Sequence, residues 1–187
     1  MGRPGRQTVP MRIYVPATLD ELDGAAVAAG GARWDLPARR AHAVTPALVR
    51  ELADEDEESR EYEAFLAAAD DSLALVAARR GVAPVRVVVS LDVPDAAVAA
   101  ADGAEEPSAV DVGALDGVAV VAVHVDEPEA AADVRAVLAA ADEENDAERT
   151  GGAGALSEDA LDAALQRVTD RDLLWYDPSE IPQIPRP

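Results

Sequence analysis

The sequence predicts a mixed α/β domain in which a mixed sheet of four to five strands is covered by helices. Segments rich in β-branched residues alternate along the chain with segments of helical periodicity, as expected for one sheet flanked by helices. The 187 residues suit a single domain, and 49% of them are hydrophobic, which is enough for a core. Residues 94–117 show no orderly crossover, so we prefer a mixed sheet to a purely parallel one.

Composition divides the chain into three parts. Residues 1–10 are rich in Gly, Pro and Arg and predict a disordered N-terminal tail. Residues 11–176 form the predicted domain, and residues 177–187 contain too many prolines for regular structure. Inside the domain, residues 142–155 (DEENDAERTGGAGA) predict a flexible acidic and Gly-rich insertion.

The elements of the first half are recognised by their capping and turn residues. Thr18 and Glu21 match a capping box, which predicts a helix to about Ala29, where two glycines end it. Thr45 and Pro46 predict the N-cap and first position of a further helix. Two strands are also predicted, at residues 11–15 (MRIYV) and 41–44.

The best-defined helix follows the acidic run DEDEE at residues 54–58, whose charge favours a helix N-terminus. Apolar residues then recur at steps of three and four, which predicts one buried stripe. The stripe consists of Tyr62, Phe65, Leu66, Ala69, Leu73 and Val76. Arg79 and Arg80 end the helix, and Gly81 is placed to cap it.

Strands dominate the next part of the chain. Alternating Val and Leu at residues 85–93 predict a strand with one apolar face, and residues 118–125 (VAVVAVHV) predict a strand at the sheet centre. Between them, residues 95–101 are interpreted as a short crossover helix and residues 109–112 as an edge strand. The last elements are two helices, beginning near residues 126–129 and at Ser157, and a strand at 173–176 (LLWY).

The charge of the chain restricts its partners. It has 37 acidic residues and 16 basic residues, all of them arginine, which gives a formal charge of −21. Such a charge disfavours binding to nucleic acid or an anionic membrane, because phosphate contacts need a cationic face. Solubility through self-repulsion is the simplest explanation. An acidic mimic of nucleic acid is the alternative.

Further classes are excluded by missing features. Cysteine is absent, so disulfides, thiolate catalysis and cysteine metal sites are excluded. No apolar run is long enough to span a membrane, and the first ten residues do not resemble a secretory signal. The sequence also lacks GxxxxGK[ST], GxGxxG after a strand, and GxSxG.

Two histidines are candidate catalytic or metal-binding residues. His124 and Asp126 are two positions apart on a predicted strand and therefore share a face, which permits an acid–base pair or a metal site. His42 at the end of another strand would supply a third ligand. Asp126 as a helix cap and His124 as a strand end are the structural alternative, and we expect neither a metal nor a cofactor.

Arg39, Arg40 and His42 form the one basic stretch, and paired arginines are suited to a phosphate or carboxylate. Pairing with neighbouring acidic residues is the commoner outcome for surface arginines.

The aromatic residues Trp34, Trp175 and Tyr176 are rare in this chain, in which aromatics total 3%. We expect them to fill the core, because large side chains compensate for small Ala and Val. A Trp on the terminal strand would alternatively line a ligand pocket or anchor a partner.

Six segments together resemble a known family. They are MRIYVPATLDEL, RRAHAVTPALVREL, YEAFLAAADDSLALVA, VVVSLDVPDAAV, VAVHVDEPEA and LLWYD, between Met11 and Tyr176. In this order they resemble a family of acidic actinobacterial proteins known as a domain of unknown function. The resemblance ends at residues 1–10 and 142–155. It implies a cytoplasmic bacterial protein and carries no activity or site residue.

Three functional hypotheses remain open from the sequence. The first is a non-enzymatic protein-interaction or regulatory module, because no catalytic constellation is assembled in any motif. The second is a small enzyme or a protein binding an anion or metal through Arg39, Arg40, His42, His124 and Asp126. The third is the nucleic-acid mimic. Convergence of the two histidines in one pocket would support the second hypothesis.

Overall fold

The computed structural model describes residues 10–79, 81–101, 103–150 and 155–187. Within these ranges nine strands form one antiparallel sheet, in the order β2-β3-β8-β5-β1-β4-β7-β6, with β9 also paired to β8. The strands are β1 Pro10–Ala17, β2 Ala26–Ala28, β3 Gly31–Leu36, β4 Arg39–His42, β5 Val87–Pro94, β6 Val98–Ala100, β7 Ala109–Val112, β8 Leu115–Asp126 and β9 Leu173–Tyr176. The predicted α/β class is confirmed, whereas the predicted mixed sheet of four to five strands is wrong, because all nine described strands pair with their neighbours in antiparallel orientation.

In the part of the chain that the structure describes, four α-helices and three 3-10 helices accompany the sheet. The α-helices are α1 Pro46–Glu51, α2 Glu57–Ala78, α3 Ala130–Thr150 and α4 Ala155–Thr169, and the 3-10 helices are Leu19–Gly24, Asp95–Ala97 and Pro178–Gln183. None of the helices in the described ranges has the length and apolar character needed to cross a membrane.

The sheet has a buried face on each side of its centre. On β5, Val87, Val88 and Val89 are all buried, because β1 and β8 flank this strand and both of its faces are covered. One face joins the main core, which includes Ile181 and Ile184 of the C-terminal segment. The opposite face packs against α2.

Small side chains set the position of α2 on the sheet. The residues of α2 that are buried most completely include Ala64, Ala68 and Ser72, spaced four apart along one side of the helix. Side chains of this size bring the helix close to the sheet. Three residues of the predicted stripe, Ala69, Leu73 and Val76, are buried as predicted. Tyr62 is instead exposed, and Phe65 and Leu66 are only partly buried.

The first predicted helix is replaced by a 3-10 helix and a strand. The capping box forms, with the Thr18 N–H donating to Glu21 Oε2 at 2.8 Å, but only a 3-10 helix follows it. Residues 26–28 then pair with β3 across a turn at residues 29–30. Gly31, which follows the turn, has a φ of 127° that favours glycine. Sheet pairing therefore overrides the local helical preference of this alanine-rich segment.

The connection between β5 and β8 also differs from the prediction. Residues 95–101 contain a 3-10 helix and β6 where a crossover helix was expected. Strand β7 is present as predicted, but it is not an edge strand, because β4 pairs with one side and β6 with the other.

Residues 142–150 of the predicted insertion and part of the C-terminal segment are helical, which the sequence did not predict. Helix α3 continues to Thr150, because the Ala and Glu residues of this segment are good helix formers. Residues 151–154 of the predicted insertion, and 1–9 of the predicted N-terminal tail, lie outside the described residues. In the C-terminal segment, Asp177 caps a 3-10 helix and places Ile181 and Ile184 in the core.

Candidate functional site

A cleft of about 670 Å³ lies between α2 and the sheet face formed by β1, β5, β8 and β9. Its floor contains Ser90 of β5 and Ala122 of β8, which are directly opposite each other in the strand register. Because these two side chains are small, the floor leaves space between the helix and the sheet. The volume is typical of a pocket for a small ligand or an inserted side chain.

Aromatic rings form much of the cleft wall. The chain has two Trp, three Tyr and one Phe, and four of these six residues line this cleft, namely Tyr14, Tyr62, Phe65 and Trp175. The Phe65 ring is central: it stacks on Tyr62 at 6.2 Å and contacts Tyr14 edge-on at 6.1 Å. Such ring contacts fix the orientation of the wall.

Two of these rings remain open to solvent. Trp175 is 59% exposed and Tyr62 is 52% exposed, although both line the cleft. Trp175 is carried by β9 directly opposite His124 of β8 in the register, so both side chains lie on the cleft face of the sheet. Exposed aromatic side chains beside a concave surface are typical anchors for a partner.

His124 acts as a further apolar wall of the cleft. Its ring lies edge-on to Phe65 at 4.9 Å, and its Nδ1 atom is buried without a hydrogen-bond partner among the described residues. Burial lowers the pKa of His124 below the usual 6.5, so the ring is neutral at pH 7. Neutral imidazole beside Phe65 extends the aromatic surface without adding a positive charge.

The three arginines that line the cleft are all neutralised by carboxylates. Their ion pairs are Arg12–Asp92 at 2.6 Å, Arg86–Asp126 at 2.8 Å and Arg171–Asp133 at 2.7 Å. Because each guanidinium is paired with a carboxylate, these arginines add no net positive charge to the cleft. The cleft therefore does not present a cationic anion-binding site.

Acidic groups, by contrast, are available at the cleft. Glu58 and Asp172 are exposed and line the cleft, and their carboxylates form neither an ion pair nor a hydrogen bond among the described residues. Burial raises the pKa of the Tyr14 hydroxyl to about 12, and the negative charge of Glu61 contributes in the same direction. The local charge at the cleft is thus negative, which favours a cationic ligand.

The predicted His124–Asp126 pair does not form. Asp126 is buried and accepts hydrogen bonds from the Arg86 backbone N–H at 2.7 Å and from its Nη2 at 2.8 Å. It therefore holds a strand end and a buried guanidinium, and it is neither a partner of His124 nor a helix cap. Within the described ranges, no group of three His, Asp or Glu side chains is arranged for a metal ion.

His42 lies in a separate cluster from His124. Its Nε2 is 3.0 Å from Asp71 Oδ2 and its Nδ1 is 2.9 Å from Ser108 Oγ. His42 and Ser108 are both buried, so this serine–imidazole–carboxylate chain joins β4, α2 and the segment before β7 as a structural link. Strands β1 and β5 separate β4 from β8, a distance of about 14 Å at ordinary strand spacing.

The basic stretch at β4 forms internal contacts. Arg39 donates to Glu21 Oε1 at 2.9 Å and to the carbonyl of Pro16 at 2.6 Å. Arg40 is 3.5 Å from Asp111 and is largely exposed. The structure therefore does not bring Arg39 and Arg40 together around an anion, and neither residue lines the aromatic cleft.

The candidate aromatic residues have different positions. Trp34 is 4% exposed and belongs to the main core, where its Nε1 donates to the Glu21 carbonyl. Tyr176 packs at the margin of the same core. Trp175 alone of these three lines the cleft, which is the alternative position that the sequence left open.

Sequence reasoning missed Tyr14, Tyr62, Phe65 and Glu58 as site residues. Tyr62 and Phe65 were assigned to a buried stripe because their spacing is helical. The missed signal is the spacing of small residues at Ala64, Ala68 and Ser72, which marks a closer contact face and leaves the rings beside it.

Residues 11–184 match the model of a family of unknown function, DUF6912. No curated protein and no solved structure matches the chain.

Proposed function

Because the chain belongs to DUF6912, a family of unknown function, we propose a function from its cleft: a non-enzymatic module that binds a cationic side chain of a partner protein. The observation that carries this proposal is the combination of four aromatic residues with the unpaired carboxylates Glu58 and Asp172 in one open cleft. We also propose that the protein is cytoplasmic, as the family resemblance implies.

Guanidinium and alkylated ammonium groups suit such a wall. A cation over an aromatic face is attracted by the ring quadrupole, and a guanidinium can stack on the ring while donating hydrogen bonds to a carboxylate. Trp175 and Tyr62 supply exposed rings, and Glu58 supplies the acceptor. An anionic ligand would instead meet the negative local charge.

The exposed rings favour a protein-binding role over a catalytic role. Trp is a frequent anchor at protein interfaces, and Trp175 lies open at the rim of the cleft. His124 in the cleft wall has no hydrogen-bond partner on Nδ1 within the described ranges that would orient it for proton transfer.

The proposal is tested with a single arginine and its neutral isostere. The probes are N-acetylarginine methylamide and N-acetylcitrulline methylamide, titrated against the ¹⁵N-labelled protein by NMR. We expect the arginine probe to shift signals of Trp175 and the N-terminal half of α2, and the citrulline probe to bind at least about fivefold more weakly. Equal binding of both probes would exclude recognition of charge.

Matched variants locate the binding. Trp175→Ala should weaken the arginine probe about fivefold or more, whereas Val49→Ala, which also truncates an exposed apolar side chain but lies outside the cleft, should have no effect. Glu58→Gln should weaken it about twofold, and Glu105→Gln, an equal charge change elsewhere, should not. Binding that depends on net charge and not on Trp175 would favour the nucleic-acid mimic instead.

A further inference from the structure

We propose that the partner supplies an extended basic segment that pairs with the outer edge of β9 as an additional strand, an inference that rests on the proposed function. Strand addition of this kind gives affinity through main-chain hydrogen bonds and specificity through alternate side chains.

The edge of β9 has unpaired backbone groups. Strand β9 pairs with β8 on one side, and no backbone hydrogen bond is formed on its other side among the described residues. In an antiparallel pair, alternate residues direct their N–H and C=O groups away from the partner strand. Two of the four residues of β9 therefore offer these groups to an incoming chain.

The side chains of β9 distinguish its edge from the two other sheet edges, at β2 and β6. In the described ranges four large apolar side chains are exposed, and two of them, Leu174 and Trp175, are consecutive on β9. Because neighbours on a strand point to opposite faces, an added strand would contact both of them. The outer strands β2 and β6 expose mainly alanine at their edges. An exposed apolar edge is a site for pairing with another chain.

The register links this edge to the cleft. Trp175 is opposite His124, so a side chain next to Trp175 on the added strand would lie on the cleft face. Alternate side chains of the added strand would point to the same face and approach the carboxylates of Glu58 and Asp172. Basic residues on that face would bring the cationic group and the aromatic wall together.

Charge argues for a basic partner and against a second copy of this chain. The formal charge of −21 makes self-association unfavourable. Asp172 and Asp177 lie immediately before and after β9, so two such edges would place like charges close together. A basic segment would instead gain from both groups.

The test uses a peptide and two backbone-methylated forms of it. The parent is the blocked peptide acetyl-Arg-Val-Arg-Val-Arg-amide, and the two forms carry N-methyl groups either on every Arg or on every Val. Consecutive residues of a strand direct their N–H groups to opposite sides, so one form loses the hydrogen bonds to β9 and the other loses none. Binding is measured by calorimetry and by NMR on the wild-type protein.

We expect one methylated form to bind at least about tenfold more weakly than the parent and the other to bind like the parent. The identity of the weak form also reports the direction of the added strand, because the Arg side chains are fixed on the cleft face. The acidic peptide acetyl-Glu-Val-Glu-Val-Glu-amide should not bind, and equal binding of it would overturn the basic partner.

Four results would overturn strand addition. If both methylated forms bind like the parent, or if the arginine probe binds and the parent peptide does not, the cleft recognises side chains alone and the proposed function survives. If the protein dimerises through Trp175 in sedimentation experiments without peptide, the occupant of the edge is a second copy. If neither the arginine probe nor the peptide binds, the proposed function fails as well.

Discussion

The buried ion pair between Arg86 and Asp126 connects the end of β8 to the start of β5 at the cleft wall. Both residues are buried, at 2% and 3% exposure, and one carboxylate receives the backbone N–H and the guanidinium of Arg86. Asp126→Asn keeps the size of the side chain and removes its charge. The guanidinium then remains buried without a counter-charge, which costs about 3–5 kcal/mol. This loss is a large part of the free energy of unfolding of an ordinary protein, which is about 5–15 kcal/mol.

The assay is urea unfolding followed by circular dichroism, with Asp92→Asn as the matched control. Asp92 pairs with Arg12 at 2.6 Å, but both side chains are more than one third exposed. The same substitution at this solvent-screened pair should cost less than about 1 kcal/mol. Comparable losses for the two variants, within about 1 kcal/mol, would refute the argument from burial.

A double variant separates the charge from the packing. Arg86→Met with Asp126→Leu removes both charges and should recover much of the stability lost in Asp126→Asn. Recovery should be incomplete, because the Arg86 backbone N–H still loses its acceptor, at a cost of about 1–3 kcal/mol. A double variant less stable than Asp126→Asn would show that the ion pair stabilises the fold more than the two apolar side chains that replace it.

Two further predictions concern buried polar groups on β1 and α2. Burial and Glu61 raise the pKa of Tyr14 to about 12. The contribution of Tyr14 to stability should therefore be fully present below pH 10 and fall by about 2–3 kcal/mol between pH 10 and 12, where the unfolded chain loses the proton first. Unfolding curves measured across this range should show the decline, and Tyr14→Phe should lack this component of it. The Ser72 hydroxyl donates to the Ala17 carbonyl at 2.8 Å and accepts from the Val87 N–H at 2.7 Å. Ser72→Ala should therefore lower the free energy of unfolding by about 1–3 kcal/mol. An unchanged urea midpoint would show that neither bond stabilises the fold.

Local signals predicted the helices whose ends are fixed by short-range bonds. The Thr45 side chain accepts from the N–H groups of Ala47 and Leu48, and the Asp56 side chain accepts from Ser59 N–H at 2.8 Å. Each of these bonds spans two or three residues, so residue order alone determines it. The alternating face of β5 was predicted for the same reason, because a strand has a fixed period of two.

Strand partners were not predictable in the same way. Residues 26–28 form β2 only because β3 lies beside them, and β7 is an inner strand only because β6 returns to its side. Periodicity describes which side chains share a face and contains no information about which segment pairs with them. The predicted sheet was therefore too small, and the helix expected after Thr18 became a 3-10 helix followed by a strand.

The cleft shows the same division. The sequence by itself determined that aromatic residues are few, that α2 is a long helix with an acidic start, and that Trp175 lies on a short strand. Only the tertiary structure decided that Tyr14, Phe65 and Trp175, which are far apart in sequence, meet in one wall and that α2 packs through its alanines. The physical reason is that helix caps and hydrophobic periodicity depend on residues close together in sequence. A cleft is instead formed by packing between segments that are distant in sequence, and residue order alone does not determine which of them meet.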